Sequence, residues 1–321
     1  SCPISVSLKS SCLFAISHFK SFGFSIGSPL DELEVAQKLG QFFSQQEGDT
    51  ITISIDGKVL RGTIPVGQTQ GTHLLAAYVP ETGVVLMQIE VWCKANEIVV
   101  APQLLNYLDL SGCVVTGDAM FTQRELCIQI VEAGGQFVLP VKANQKTLQY
   151  AIADAFMPAA VAKEHQPIGL EETFVSDISL GHGRIETRYL TVTSELNDYL
   201  DFPHIQQVFR LQRVIQHQAT GKITYQVILG ITSLSRQQCP ADKLMALIRS
   251  HWHIENRLHY VRDVTFHEDA SRIRHTKRQR LLATLNNLVI GLIRHCGKFD
   301  YIPEGRRYFN ANYDEALQLL L

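Results

Sequence analysis

The chain of 321 residues contains 45% hydrophobic and 19% charged residues and has a formal net charge of −2. This balance is typical of a well-packed globular protein. It excludes an intrinsically disordered chain and a protein that coats nucleic acid through overall positive charge. The seven cysteines include no C-x-x-C pair, which predicts a reduced, cytoplasmic protein. No apolar run approaches the roughly 20 residues that cross a bilayer.

The N-terminal third predicts an arm followed by three strands. Residues 1–30 show no clear hydrophobic period, and we interpret them as an unassigned arm or a truncated N-terminal remnant. The alternating isoleucines of ITISIDGK predict a strand that Gly57 ends, with Asp56 at its tip. The run HLLAAYVPETGVVLMQIEVW predicts two more strands around a turn at 80–83. Together they form an antiparallel meander.

Helices and strands then alternate. They are a helix from Asn96 to Leu108, a strand from Cys113 to Thr116 that leads to Asp118, a helix from Thr122 to Ala133, a strand from Gln136 to Val141 and a helix near Gln145 to Ala162. A meander followed by strand, helix and strand is the element order of a ribonuclease H-like sheet. The predicted fold class is therefore α/β, with a mixed sheet flanked by helices and ligand sites at the strand ends.

The second half of the chain changes character. Residues 170–232 alternate with period two and predict a β-rich insertion. A helix that begins at Pro240 follows and carries Glu255, and a last apolar helix runs from about Lys277 to His295. The predicted organisation is an arm at 1–30, a first part of the core at 31–165, the insertion at 166–233, the closing helices of the core at 234–296 and a C-terminal tail at 297–321.

Three carboxylates are candidates for a divalent-metal site: Asp56, Asp118 and Glu255. Each is placed on a rigid element, and phosphoryl transfer by a pair of hard cations needs such acids. Taken singly, each acid has another interpretation, as part of an Asp-Gly turn, as a helix cap or as a surface ion pair. The histidines around Glu255 and Cys239 fit no standard zinc spacing.

Basic charge gathers beside the third acid. The stretch from Arg249 to Arg280 holds eight basic residues and four acidic ones. This is the footprint expected where a polyanion meets a metal site, although a solvated helix face would look similar.

Further candidates for contact with DNA lie near the acids. Lys58 and Arg61 follow the first acid and are candidates for binding a phosphate, as are Lys142 and Asn144 after a neighbouring strand. Trp252 is a candidate for stacking on an unpaired base, or it anchors the core. The full set of candidate DNA-binding residues is Lys58, Arg61, Lys142, Asn144, Arg184, Trp252, Arg257, Arg262, Arg272 and Arg274.

Six ordered blocks resemble the DDE transposases of bacterial insertion sequences, in the branch that includes the H-repeat-associated proteins. The blocks are IDGKVLRG, KANEI, VTGDAMFTQ, GGQFVLPVKANQ, GHGRIETR and RSHWHIENRLHYVRDVTFHEDASRIR. The resemblance covers about Asp31 to Cys296. It implies a ribonuclease H-like core with a β-rich insertion before the last catalytic helix. It also implies two Mg²⁺ ions, for which Mn²⁺ can substitute, held by Asp56, Asp118 and Glu255.

The sequence departs from the family pattern in two places. The usual N-terminal helical domain is expected to be absent or replaced by residues 1–30. The Tyr, Arg and Lys positions that surround the last acid in the broader family are occupied by Ile248, His251 and Arg262.

The resemblance implies DNA strand cleavage and strand transfer, in which water and later a DNA 3′-hydroxyl attack phosphorus in line. The implied partners are double-stranded DNA, at transposon ends and target, and a second copy in a homodimer on DNA. The implied location is the bacterial cytoplasm, at the nucleoid when bound to DNA. Two other functions stay open: a catalytically degenerate protein that binds DNA or a partner, and a stand-alone metal-dependent nuclease.

Overall fold

The computed structural model describes residues 51–319, except 65–66, 68, 70, 92–95, 157–172, 182, 198, 272 and 274. The predicted arm at 1–30 and the start of the core at 31–50 lie outside these residues. The described strands form one sheet in the order β3-β2-β1-β4-β5-β9-β8-β7-β6. The strands are β1 Thr52–Leu60, β2 Thr72–Val79, β3 Val84–Val91, β4 Val114–Gly117, β5 Gln136–Val141, β6 Thr173–Gly181, β7 Arg184–Thr193, β8 Gln207–His217 and β9 Ile223–Thr232.

The sheet is mixed. Strands β1, β2 and β3 form the predicted antiparallel meander, whereas β4 runs parallel to both β1 and β5. Parallel neighbours need a crossover connection, and the helices between β3 and β4 and between β4 and β5 provide it. The predicted fold class, a ribonuclease H-like mixed sheet flanked by helices, is confirmed.

Helices cover the sheet on both sides. They are α1 Glu97–Leu105, α2 Arg124–Glu132, α3 Lys146–Ala155, α4 Ala241–His251, a π-helix Ile254–His259, α5 Tyr260–Val264, α6 Thr276–His295, α7 Ile302–Ala311 and α8 Tyr313–Gln318. Helices α1 to α3 pack on the first side, in a core that includes Ile53 and Ile55. Helix α4, the π-helix and α6 pack on the second side, against residues such as Val114 and Tyr78. Within the described part of the chain, no helix is long and apolar enough to cross a membrane.

The strands of the predicted insertion continue the core sheet. Strand β9 pairs antiparallel with β5, where Ile231 lies opposite Leu139 and both are buried. The segment therefore widens the sheet from β5 outward. Helix α3 packs on β8 and β9 from the first side, and α4 packs on β6 and β7 from the second side.

The predicted end of one strand was wrong. Strand β1 does not end at Asp56, because its pairing with β2 continues through Asp56 and Gly57 to Leu60. The predicted C-terminal tail contains α7 and α8, and Ile302 is buried in the same cluster as residues of α6. Helix α7 carries Pro303 in its first turn, and proline there is a common helix-start signal.

Candidate active site

Two of the predicted acids lie side by side, Asp56 within β1 and Asp118 directly after β4. The last paired residues of β1 and β4 are Ile55 and Gly117, which face each other in the parallel ladder, and the next residues are Asp56 and Asp118. Side chains alternate along a strand, so both acids belong to the second side of the sheet. Strand β4 ends there while β1 continues along β2, which opens a gap in the sheet beside Asp56.

A contact between two hydroxyl groups joins β1 and β4 on the second side, just before the acids. Ser54 and Thr116 are buried, and their hydroxyl oxygens are 2.9 Å apart. Each of these residues precedes an acid by two positions, so the contact fixes β1 against β4 directly next to the carboxylates. The spacing between the two acids is therefore set by rigid strands.

Glu255 reaches the site from the π-helix that follows α4. Its neighbours Ile254 and Leu258 are fully buried beneath it, and the π-helix packs against β1. Glu255 itself is exposed. The sequence predicted a regular helix here, but the structure has a π-turn, a rare feature that is frequent at functional sites.

The electrostatics of Asp56 show that the three acids interact. Burial, together with the negative charges of Asp118 and Glu255, raises the pKa of Asp56 to about 6, while the positive charge of His251 opposes the rise. Asp118 and Glu255 are thus near enough for their charges to act on Asp56, although the three residues are far apart in the sequence. Repulsion of this kind is the property expected of carboxylates that share a cation.

Two histidines flank the acids. The Nε2 atom of His251 is 3.9 Å from Asp118 Oδ1, and its Nδ1 atom is 3.2 Å from the hydroxyl of Thr116. The Nδ1 atom of His259 is 3.4 Å from Asp56 Oδ2. Burial, together with the positive charges of Arg262 and Lys58, lowers the pKa of His259 to about 3, so its ring is neutral at pH 7.

From the sequence, these histidines were weighed as zinc ligands, and His251 as the residue at the family's Arg position, but their place beside the acids was not predicted. A signal was present, since His251 and His259 stand four residues before and after Glu255. Residues four apart share one face of a helix.

The residues present fit a hard divalent cation by their chemistry. Three carboxylates offer the oxygen ligands that Mg²⁺ prefers, and a bound cation would favour the ionised form of Asp56, whose pKa is raised by burial and by the charges of the other two acids. Among the described residues, no three His, Cys, Asp or Glu side chains are grouped closely enough to hold a metal ion in this structure.

The basic residues next to Asp56 are held by acids of the protein. Lys58 is 8% exposed and donates to both carboxylate oxygens of Asp263 at 2.6 Å. Arg61 is 77% exposed, and its Nε atom is 3.6 Å from Asp269. Arg61 is therefore accessible to a ligand, whereas Lys58 is engaged in a partly buried ion pair of the protein itself.

Lys142 and Asn144 lie at the same edge of the sheet as Asp118, because they follow β5, the parallel neighbour of β4. Asn144 donates to the carbonyl of Ala119 at 2.7 Å and so ties this loop to the turn after Asp118. Lys142 is exposed.

The remaining basic candidates are spread widely. Arg257 is exposed on the π-helix and donates to the carbonyl of Pro80 at 3.2 Å, and Arg184 is exposed at the far tip of β7. Arg272 and Arg274 lie outside the described residues. Only Arg257 is thus placed on the same element as Glu255.

Two candidates have structural partners. Arg262 is fully buried, and its guanidinium pairs with Glu268 at 2.7 Å; the predicted DNA contact is replaced by a structural role. Trp252 packs against the buried cluster under α4, and the guanidinium of Arg213 lies 4.2 Å from the ring centroid. This arrangement matches the core-anchor interpretation of Trp252, since one ring face is covered by Arg213.

The geometry agrees with the comparison to known families. The family model described as "Transposase DDE domain" matches residues 47–292. The chain belongs to the DDE transposase family. The three acids and the β-rich segment all lie within the matched range.

Similar proteins include members of the predicted branch. The chain is 32% identical over 254 residues to "Putative transposase YncI" of Escherichia coli O157:H7, covering 76% of this chain and 62% of the relative. It is 28% identical over 256 residues to "H repeat-associated putative transposase YhhI" of Escherichia coli strain K12, covering 76% and 64%. The chain thus spans less than two thirds of the length of these relatives, and the predicted resemblance to the H-repeat-associated branch is confirmed.

Among solved structures, the chain is similar to a piggyBac transposase in a synaptic complex with hairpin DNA. The TM-score is 0.45 at 11% sequence identity, with 83% of this chain and 52% of that chain covered.

Proposed function

We propose that this DDE transposase chain catalyses metal-dependent cleavage and strand transfer of DNA at insertion-sequence ends, with Asp56, Asp118 and Glu255 as the catalytic acids. The observation that carries the proposal is the electrostatic coupling of Asp56 to the other two acids, which come from a parallel strand and from the π-helix. Burial and the repulsion by two other acids make the ionised form of Asp56 destabilising to the fold. A bound cation would stabilise that ionised form.

The metal would be two Mg²⁺ ions, or Mn²⁺ in their place, which neutralise charge on the transferring phosphate and lower the pKa of water. The role of the protein side chains is to hold and orient the metal ions. Asp56 and Asp118 present oxygens from two strands whose spacing is fixed, and Glu255 adds a third carboxylate from the π-helix that packs on the same side of the sheet. Neutral His259 contacts Asp56 without adding a positive charge that would compete with the cations.

The DNA would approach the second side of the sheet, where these acids lie. Arg61, Lys142 and Arg257 are exposed and basic, and they lie on elements that adjoin the acids. Such residues bind phosphates and position the duplex without reading its sequence. A homodimer on DNA follows from the family, since transposition holds two DNA ends together.

The experiment is Mg²⁺-dependent nicking of supercoiled plasmid by the purified chain and by Glu255→Gln. The matched control is Glu125→Gln, which removes an exposed carboxylate from α2 on the first side of the sheet. We expect nicking by the parent and the control and none by Glu255→Gln. Plasmid binding without nicking in either Mg²⁺ or Mn²⁺ contradicts the proposal and supports a degenerate DNA-binding protein. Nicked 3′ ends that never join a target DNA support a nuclease.

A further inference from the structure

The outer four strands of the sheet carry an unusual surface on the first side. In an antiparallel sheet, directly paired residues point to the same face. Ile178, Thr187, Val214 and Tyr225 form one such row across β6, β7, β8 and β9. We call the face that contains this row, and the parallel rows beside it, the outer face.

Large apolar side chains of the outer face are open to solvent. On β6 they are Phe174, Ile178 and Leu180, and on β9 they are Ile223, Tyr225 and Val227, each between 47% and 73% exposed. The solvent side of an antiparallel sheet is normally polar. Six large apolar side chains exposed on one side of a sheet mark an interaction site.

The outer face is nearly free of charge. Four rows on this side span all four strands, and Arg210 is the one charged residue among these described positions. Arg210 donates to the backbone carbonyl of Phe156 at 2.6 Å. The opposite face of the same strands carries the charges instead, among them Asp177 and Arg188. Because DNA binding depends on basic side chains, the chemistry of the outer face fits a protein and not DNA.

The outer face also continues the hydrophobic core. Closer to β5, the same side of β8 and β9 presents Val208 and Leu229, which are buried in one cluster with Ile152 of α3. Beyond α3 the apolar side chains of the strands are exposed. An apolar layer that starts as core and ends in solvent is the structure expected of an interface.

We propose that a second copy of this chain packs on the outer face, so that two outer faces meet around a two-fold axis without DNA. Such a pairing sets the same surface against itself, and a surface without exposed like charges meets its copy without repulsion. The acids of the candidate active site lie on the second side of the sheet, so this dimer leaves them accessible. The inference does not rest on the proposed chemistry.

The size of the outer face agrees with a stable dimer. Its exposed side chains include one more, Tyr189, whose ring stacks on Phe174 with centroids 6.0 Å apart. Seven large apolar side chains that are about half exposed offer on the order of 100 Å² each. The sum of roughly 700 Å² approaches the ~800 Å² per partner of a standard interface. Stacked aromatic rings are rigid anchors of the kind that dominate interface energies.

The first test is the mass of the full chain in solution without DNA, by sedimentation equilibrium. We expect a dimer for the parent and a dissociation constant at least about tenfold higher for Tyr225→Lys, which places like charges in the interface. The matched control is Gln218→Lys, which adds the same charge in the exposed turn of the same hairpin. Ile178→Lys repeats the test on β6 in case Tyr225→Lys fails to fold.

The second test is cross-linking between copies. Thr187 lies near the middle of the outer face, so Thr187→Cys should form a dimer with a short thiol cross-linker, whereas the parent should not. A monomeric parent overturns the proposal, and protection of Tyr225 from oxidation would then indicate that the chain covers its own outer face. A dimer that survives both lysine substitutions overturns it as well.

Discussion

The carboxylate of Glu97 fills the space that a side chain on Gly57 would need. Glu97 is almost fully buried on the first side of the sheet, and its Oε1 atom is 3.1 Å from Nδ1 of His73. Gly57 directly follows Asp56, so this buried pair lies against the backbone that carries the first acid.

Replacing Gly57 with alanine should therefore disturb both the fold and the site. Overpacking of this kind costs about 1–3 kcal/mol of the free energy of unfolding. The measurement is a denaturant melt. Gly181→Ala is the matched control, because a Cβ atom there meets nothing within 4 Å. Equal stability of the two variants would show that Glu97 moves aside freely.

Arg262 and Glu268 form a fully buried ion pair, in which Asn286 also donates to Glu268 at 3.0 Å. Arg262→Ala leaves a buried carboxylate without its cation, and we expect a loss of about 3–5 kcal/mol. Arg61→Ala removes an arginine from an exposed pair and should cost no more than about 1 kcal/mol. Thermal melts of the two variants compare them. A small loss in Arg262→Ala would return that residue to the set of candidate DNA contacts.

The raised pKa of Asp56 predicts a pH dependence of the metal-free protein. The folded pKa of about 6 lies above the ordinary value of 3.8, so the folded state favours the protonated carboxyl. This group contributes stability below about pH 4 and loses it as the pH rises to about 6, by on the order of 2–3 kcal/mol. Denaturant melts in EDTA across this range measure the effect.

The control for the pH dependence is Asp118→Asn. Loss of the neighbouring charge should lower the pKa of Asp56 and shrink the decline in stability between pH 4 and 6. An identical pH profile in this variant would mean that the two carboxyls do not interact.

Most strands of this sheet were predictable, because hydrophobic residues alternate along them and turn residues separate them. The course of β1 through Asp56 and Gly57 was not. Asp-Gly is a local turn signal, whereas the pairing with β2 and the packing of Glu97 on Gly57 are tertiary contacts. The structural role of Arg262 was likewise not predictable, because it depends on the fold, which buries Arg262 with Glu268.

DNA binding should be weak, tolerant of sequence and sensitive to salt, because the candidate contacts are phosphate contacts. Lys142→Ala should weaken binding to every sequence alike and lower the slope of log K against log salt by about 1. Lys222→Ala, in the exposed turn between β8 and β9, is the control that should leave both unchanged. Titration of a labelled duplex at several salt concentrations measures this. Tight binding to one terminal sequence at about 0.3 M salt would show that some part of the chain reads bases.

The central claim is that Asp56, Asp118 and Glu255 form one cation site, and thermal melts with EDTA and with Mn²⁺ test it most directly. The parent should gain about 2.7 kcal/mol at a hundredfold excess of metal over Kd. Asp118→Asn should gain far less, yet in EDTA it should be at least as stable as the parent, because one of three repelling charges is gone. A loss of about 1–4 kcal/mol in Asp118→Asn, the same in EDTA and in Mn²⁺, would contradict the claim and assign Asp118 a purely structural role.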